Sequence, residues 1–75
     1  MQIEIFTKKS CGSCNIAKQI IREKGYFFKE KDIEENPEYR EELYDRYPEV
    51  KTVPQIFVDG DLMIGNELEK FMENL

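Results

Sequence analysis

The sequence contains no histidine, and only two of its 75 residues are cysteine. Without histidine the chain lacks the commonest general base and the commonest metal ligand. Ser–His and Cys–His nucleophile pairs are excluded with it. A zinc site of the usual kind would need a second C-x-x-C or a histidine pair, and neither exists, so no metal is expected. No apolar run approaches the roughly 18 residues of a membrane span. The first residues, Met1 to Phe6, include Glu4 and no basic segment, which does not read as a signal peptide. Positive charge is also short: 11 lysines and arginines stand against 16 acidic residues, a net charge of −5. A nucleic acid or an anionic membrane needs a basic face, so neither is expected as a partner.

The remaining composition is that of a soluble globular domain, with 40% hydrophobic and 36% charged residues. Residues 1–75 read as one domain, without linker, repeat or low-complexity stretch. A chain this short buries only about 60% of the surface it exposes when unfolded, so its core must be well patterned. The two cysteines form one pair, Cys11-Gly12-Ser13-Cys14. Closing so short a loop stabilises by only ~2 kcal/mol in the chain-entropy model. The pair is a poor staple, and its expected purpose is chemistry. In a reducing cytoplasm, the compartment expected here, a C-x-x-C is redox-active or metal-binding rather than structural.

Periodicity and punctuation order the chain. Gln2 to Thr7 reads as a strand, and Lys8 to Ser10 as a loop. Cys14, Ala17 and Ile21 recur at helical spacing, as do Ile16 and Ile20, which predicts a helix from the cysteines to Lys24 with Gly25 as its terminating glycine. Tyr26 to Ile33 is aromatic and β-branched enough for a second strand. Asn36 caps a second helix with Pro37 at its first position, carrying Tyr39, Leu43 and Tyr47 and stopping before Pro48. Val53 to Val58 and Asp61 to Ile64 flank Asp59-Gly60, the dipeptide of a type I′ hairpin turn. Asn66 and Glu69 suit the N-cap and N3 positions of a last helix that aligns Leu68, Phe71, Met72 and Leu75. The order is β-α-β-α-β-β-α, an α/β fold. A right-handed parallel crossover followed by a hairpin gives a four-stranded mixed sheet with helices on both faces.

The C-x-x-C then falls at a strand-to-helix turn. With Cys11 near the N-cap, its sulfur faces the unpaired N–H groups and the positive end of the helix dipole. A thiolate there is stabilised, so its pKa falls below the free value of about 8.5. Lys8 and Lys9 add positive charge nearby, although each taken alone also suits an ordinary solvated surface. Cys14 lies one turn further in, shielded, and within reach of a mixed disulfide on Cys11. The expected roles are Cys11 as nucleophile and Cys14 as resolver.

The stretch Phe6-Thr7-Lys8-Lys9-Ser10-Cys11-Gly12-Ser13-Cys14 resembles the start of the glutaredoxins, in which strand one leads through a lysine-containing loop into C-P-Y-C. Thr52-Val53-Pro54-Gln55-Ile56-Phe57-Val58-Asp59-Gly60 resembles that family's T-V-P-x-I-F-I-x-G segment. The resemblance implies a thioredoxin-like fold and a thiol–disulfide oxidoreductase using the Cys11/Cys14 dithiol. It implies no tightly bound cofactor, with glutathione as co-substrate and electron donor. Disulfide-containing proteins, ribonucleotide reductase among them, are the implied partners of a monomeric enzyme. It also implies that Pro54 is cis and faces Cys11, turning the Val53 N–H and C=O outward to pair with an extended thiol peptide.

Lys8, Thr52, Val53, Pro54, Gly65, Asn66 and Glu67 are the implied glutathione contacts, although helix capping accounts for Asn66 and Glu67 equally well. Two departures stand out. Gly12 and Ser13 replace the family's proline and tyrosine, and Gly65 stands alone where glutaredoxins show Gly-Gly and an acidic residue. Three other readings remain open: a glutaredoxin-like donor reduced by thioredoxin reductase, an iron–sulfur cluster carrier, since Cys11-Gly12 is similar to the start of C-G-F-S, and a non-enzymatic binding module.

Overall fold

The computed structural model describes residues 1–74, so Leu75, assigned above to the last apolar stripe, lies outside the described residues. The elements run β1 (Ile3–Thr7), α1 (Gly12–Glu23), β2 (Lys29–Asp32), α2 (Pro37–Arg46), β3 (Gln55–Val58), β4 (Asp61–Met63) and α3 (Asn66–Asn74). The strand order is β2-β1-β3-β4. β1 pairs with β2 in parallel, Glu4 opposite Lys29 and Phe6 opposite Lys31. β1 pairs antiparallel with β3, and β3 antiparallel with β4. This is the expected four-stranded mixed sheet.

The period-two alternation of β1 divides the core. Ile3 and Ile5 face one side and join Ala17 and Ile21 of α1, with Leu68, Phe71 and Met72 of α3 packed against them. Phe6 faces the other side, where it meets Phe57 and Leu43 of α2. The Phe6 and Phe57 rings meet edge to face, centroids 5.5 Å apart, an arrangement that adds to simple area burial. Glu4 shares the Phe6 face and is neutralised there. Arg46 and Lys31 both bond its carboxylate, and both reach Glu42 as well. The Arg46 guanidinium also lies 4.0 Å from the Phe57 ring centroid. Among the described residues no buried side-chain polar atom is left without a hydrogen-bond partner, and no helix is long and apolar enough to cross a membrane.

Several boundaries differ from the sequence reading. The second strand starts at Lys29 rather than Tyr26, because the chain leaving α1 is first used to close the helix. Tyr26 N–H bonds Ile21 C=O and Gly25 N–H bonds Arg22 C=O, the paired closure that a left-handed glycine permits; Gly25 has φ +82°. Phe27 follows and is 94% exposed. β3 begins at Gln55 rather than Val53, since Pro54 has no N–H to give to the sheet. The Asp59-Gly60 hairpin has φ of 51° and 88°, as a type I′ turn demands. Asn66 is the first residue of α3 rather than its cap. The Gly65 carbonyl accepts the Glu69 N–H instead, which places the boundary one residue earlier than the capping pattern indicated.

Candidate redox site

β1 delivers the chain to the active end of the sheet, and Ser10, with φ +57°, turns it into α1. Cys11 then takes the extended N-cap conformation. Its Sγ accepts the Cys14 N–H at 3.2 Å, and its carbonyl accepts the Asn15 N–H. The sulfur therefore holds the capping role usually filled by a serine or aspartate oxygen. An acceptor placed there gains from negative charge, because the helix N-terminus presents unpaired donors.

Cys11 and Cys14 are joined as a disulfide, their Cα atoms 5.2 Å apart. Cys14 is 1% exposed and Cys11 8%, while Gly12 and Ser13 between them are open to solvent. Both cysteines are buried, Cys14 the more deeply, and only Cys11 holds the N-cap position. Below them, Lys18 on the next turn of α1 bonds Glu30 of β2 at 2.8 Å, and the Thr7 hydroxyl donates to the same carboxylate. The Lys18 hydrogen bond, aided by that of Thr7, holds the Glu30 carboxyl below its usual pKa against the opposing effect of burial. This set ties the first turns of α1 to the ends of β1 and β2.

The loop before β3 comes from far along the sequence to meet the pair. The Val53–Pro54 bond is cis, and the Val53 carbonyl oxygen lies 3.8 Å from Cys11 Sγ. The Gln55 side-chain amide donates to the Thr52 carbonyl at 2.8 Å, fixing the loop. Among the described residues no backbone group bonds either the N–H or the C=O of Val53. An open pair of backbone groups beside a reactive sulfur offers strand pairing to an extended peptide.

Lys8, Thr52 and Val53 line one cavity of about 180 Å³ beside this loop. Arg40 and Tyr44 of α2, together with Lys51, line it too. Those three residues were not singled out from sequence. Arg40 and Tyr44 share one helix face, and a tyrosine and an arginine on a solvated helix carry no signal until the helix is placed. Gly65, Asn66 and Glu67 are exposed at the start of α3. They do not line this cavity; Glu67 borders a separate groove with Met1, Tyr26 and Phe71. Among the described residues no three or more histidine, cysteine, aspartate or glutamate side chains are grouped to hold a metal ion.

Comparison with known proteins agrees with this geometry. A family model described as glutaredoxin matches residues 3–63. Glutaredoxin 3 of Escherichia coli is 44% identical over 63 residues, covering 84% of this chain and 75% of that protein. Among solved structures, the thioredoxin-like protein BC3987 superposes with a TM-score of 0.82 at 26% identity, covering 97% of this chain and 99% of that one. Glutaredoxin 1 from Francisella tularensis, solved with cacodylate, gives 0.74 at 30% identity over 97% of this chain and 93% of that one. With its C-x-x-C pair at the head of α1, this chain belongs to the glutaredoxin family and is a thiol–disulfide oxidoreductase.

Proposed function

We propose that the Cys11–Cys14 dithiol reduces protein disulfides and glutathione mixed disulfides, with glutathione returning the electrons. One observation carries the reading: Cys11 Sγ occupies the α1 N-cap and lies 3.8 Å from the carbonyl of Val53, whose N–H and C=O bond no other backbone group among the described residues. In the reduced enzyme the Cys11 thiolate attacks one sulfur of the substrate disulfide. A mixed disulfide forms, and the other substrate sulfur leaves as a thiolate and takes up a proton. Cys14, deprotonated, then attacks Cys11 Sγ and expels the second substrate thiol, leaving the Cys11–Cys14 disulfide. Two electrons and two protons pass to the substrate. Two glutathione thiols then reduce the pair and leave as glutathione disulfide.

Lys8 and the Val53 backbone would hold the glutathione carboxylate and peptide groups, with Thr52 and Pro54 shaping the loop. The exposed Gly65, Asn66 and Glu67 at the α3 N-terminus would take the γ-glutamyl end. No tightly bound cofactor is needed. The enzyme works as a monomer in a reducing cytoplasm, and ribonucleotide reductase is one candidate acceptor among its protein substrates.

The test supplies the oxidised enzyme with glutathione, then with thioredoxin reductase, as sole electron source. Glutathione should be the better donor. Lys8→Ala should slow its step about two- to fivefold, the range of an exposed charge contact. Efficient turnover by the reductase, with none from glutathione at cellular concentration, would remove the glutathione assignment and leave the dithiol chemistry. That second reading is favoured by the likeness to a thioredoxin-like protein and by Gly12-Ser13 in place of a ring-bearing pair.

A further inference from the structure

The release step poses a proton problem. Cys14 must lose its proton before it attacks, yet it is 1% exposed, and burial holds a thiol in its neutral form. Cys14 shares the buried face of α1 with Ala17 and Ile21, the face that packs on Ile3 and Ile5 of β1. Water has no direct path to it there.

The same layer contains a hydroxyl. Of the two buried polar side chains among the described residues, Lys31 lies on the Phe6 side of the sheet and Thr7 on this one. Thr7 follows Ile3 and Ile5 at the strand's period of two and donates to the Glu30 carboxylate at 2.9 Å. A hydroxyl has one proton to give and two lone pairs to fill. Its proton is spent on Glu30, and among the described residues no group donates to Thr7 Oγ1. In the disulfide Cys14 carries no proton. Reduction turns it into a thiol, and so into a donor, within that layer.

Glu30 leads outward. It is exposed and borders a groove of about 340 Å³ with Asp32, Glu35, Asn36 and Tyr39. The groups that face it are Lys18 from α1, Thr7 from β1, Asp32 on its own strand, and Glu35 and Tyr39 across the groove. We infer that Thr7 and Glu30 form a proton relay between buried Cys14 and solvent. This rests on the reading above, that Cys14 resolves the mixed disulfide, and adds the route its proton takes.

As Cys14 attacks, its proton passes to Thr7 Oγ1 while the Thr7 proton passes to Glu30, which gives it up to water in the groove. The Cys14 electron pair forms the bond to Cys11 Sγ. The bond from Cys11 to the substrate breaks, and the substrate sulfur leaves with that pair and takes a proton from water. When glutathione attacks Cys11 of the disulfide, the relay runs in reverse and protonates Cys14 as it departs. Glu30 conducts the proton without storing it, which suits a carboxyl that Lys18 holds below its usual pKa.

The test mixes the reduced full chain rapidly with a chromogenic nitrobenzoate disulfide. A first burst of coloured thiol reports attack by Cys11, and a second reports release by Cys14. Thr7→Val and Glu30→Gln should slow the second phase roughly tenfold at neutral pH, less than the ~10²–10⁴ of a base in direct contact. The gap should close in alkali, where Cys14 titrates without help, and Thr7→Ser should restore the parent rate. A second phase unchanged in both variants would overturn the relay and leave the two-step exchange in place. So would a deficit that persists in alkali or in Thr7→Ser, since packing rather than proton transfer would then set the rate. Release of a single thiol by the parent protein would overturn the resolver reading and the relay together.

Discussion

A cysteine at an N-cap and a cysteine one turn inside the same helix meet different surroundings, and the chemistry follows from that difference. Cys11 Sγ accepts a backbone N–H at the helix start, whereas Cys14, on the inner side of the first turn of α1, is the more deeply buried of the two. A thiolate is stabilised by the donors at the first position and destabilised by apolar burial at the second. The Cys11 thiol should therefore titrate below the free value of about 8.5, and below Cys14. Ultraviolet thiolate absorbance in the two single-cysteine variants measures this, and a Cys11 value at or above the free value would refute the assigned roles. The same division predicts that Cys14→Ser accumulates a covalent complex with a protein disulfide substrate, while Cys11→Ser accumulates none. Equal trapping by both variants on a non-reducing gel would show that attack and release are not divided in this way.

At the scale of elements, what ends α1 matters as much as what begins it. Gly25 has φ +82° and a built Cβ would touch nothing within 4 Å, so a side chain there costs only conformational energy. Gly25→Ala should destabilise the fold by roughly 1–2 kcal/mol, with unchanged denaturant slope. Gly12, the first residue of α1, is equally open but has no positive φ. Gly12→Ala should stabilise by about 0.4–1 kcal/mol through the unfolded chain. If both substitutions shifted the urea midpoint in the same direction, the backbone argument would fail. Most of this level was legible beforehand: Gly25, Asn36-Pro37 and Asp59-Gly60 act within a few residues of themselves and need no partner. The segment at Tyr26–Phe28 was misread because aromatic residues suit a strand, but here the chain is still closing the helix and Phe27 faces solvent.

For the molecule as a whole, stability in acid depends on the ion network that ties β1, β2 and α2 together. The Arg46 hydrogen bond holds the Glu4 carboxyl down to about 2, assisted by Lys31 and opposed by burial. Glu42 is also lowered: burial pushes its pKa up, and the bonds from Lys31 and Arg46 outweigh it. A carboxylate whose folded pKa lies below its unfolded value contributes stability above the unfolded value, and that contribution is lost as pH falls through the folded one. For Glu4 the window runs from 4.5 down to about 2. Unfolding free energy measured by urea titration across that range should decline in the parent protein, and decline less steeply in Glu4→Gln. Identical slopes would mean that Glu4 is not what couples folding to pH.

The sequence by itself determined the order of elements, the C-x-x-C at a helix start and the turns. Each of these depends on backbone preference or side-chain period over a handful of neighbours, and such preferences are readable one residue at a time. The sequence alone pointed to Lys8, Thr52 and Val53 through a family resemblance, but did not indicate Arg40, Tyr44 or Lys51. Nor did it show that Glu4, Lys31, Glu42 and Arg46 form one network. Only the tertiary structure decided these, because they depend on the parallel register of β1 with β2 and on α2 crossing the Phe6 face. It likewise brought the Val53 carbonyl to Cys11 from 42 residues away. Contacts over such separations are set by how the sheet pairs and what the core can bury, and no local pattern in a charged helix or an exposed loop encodes them.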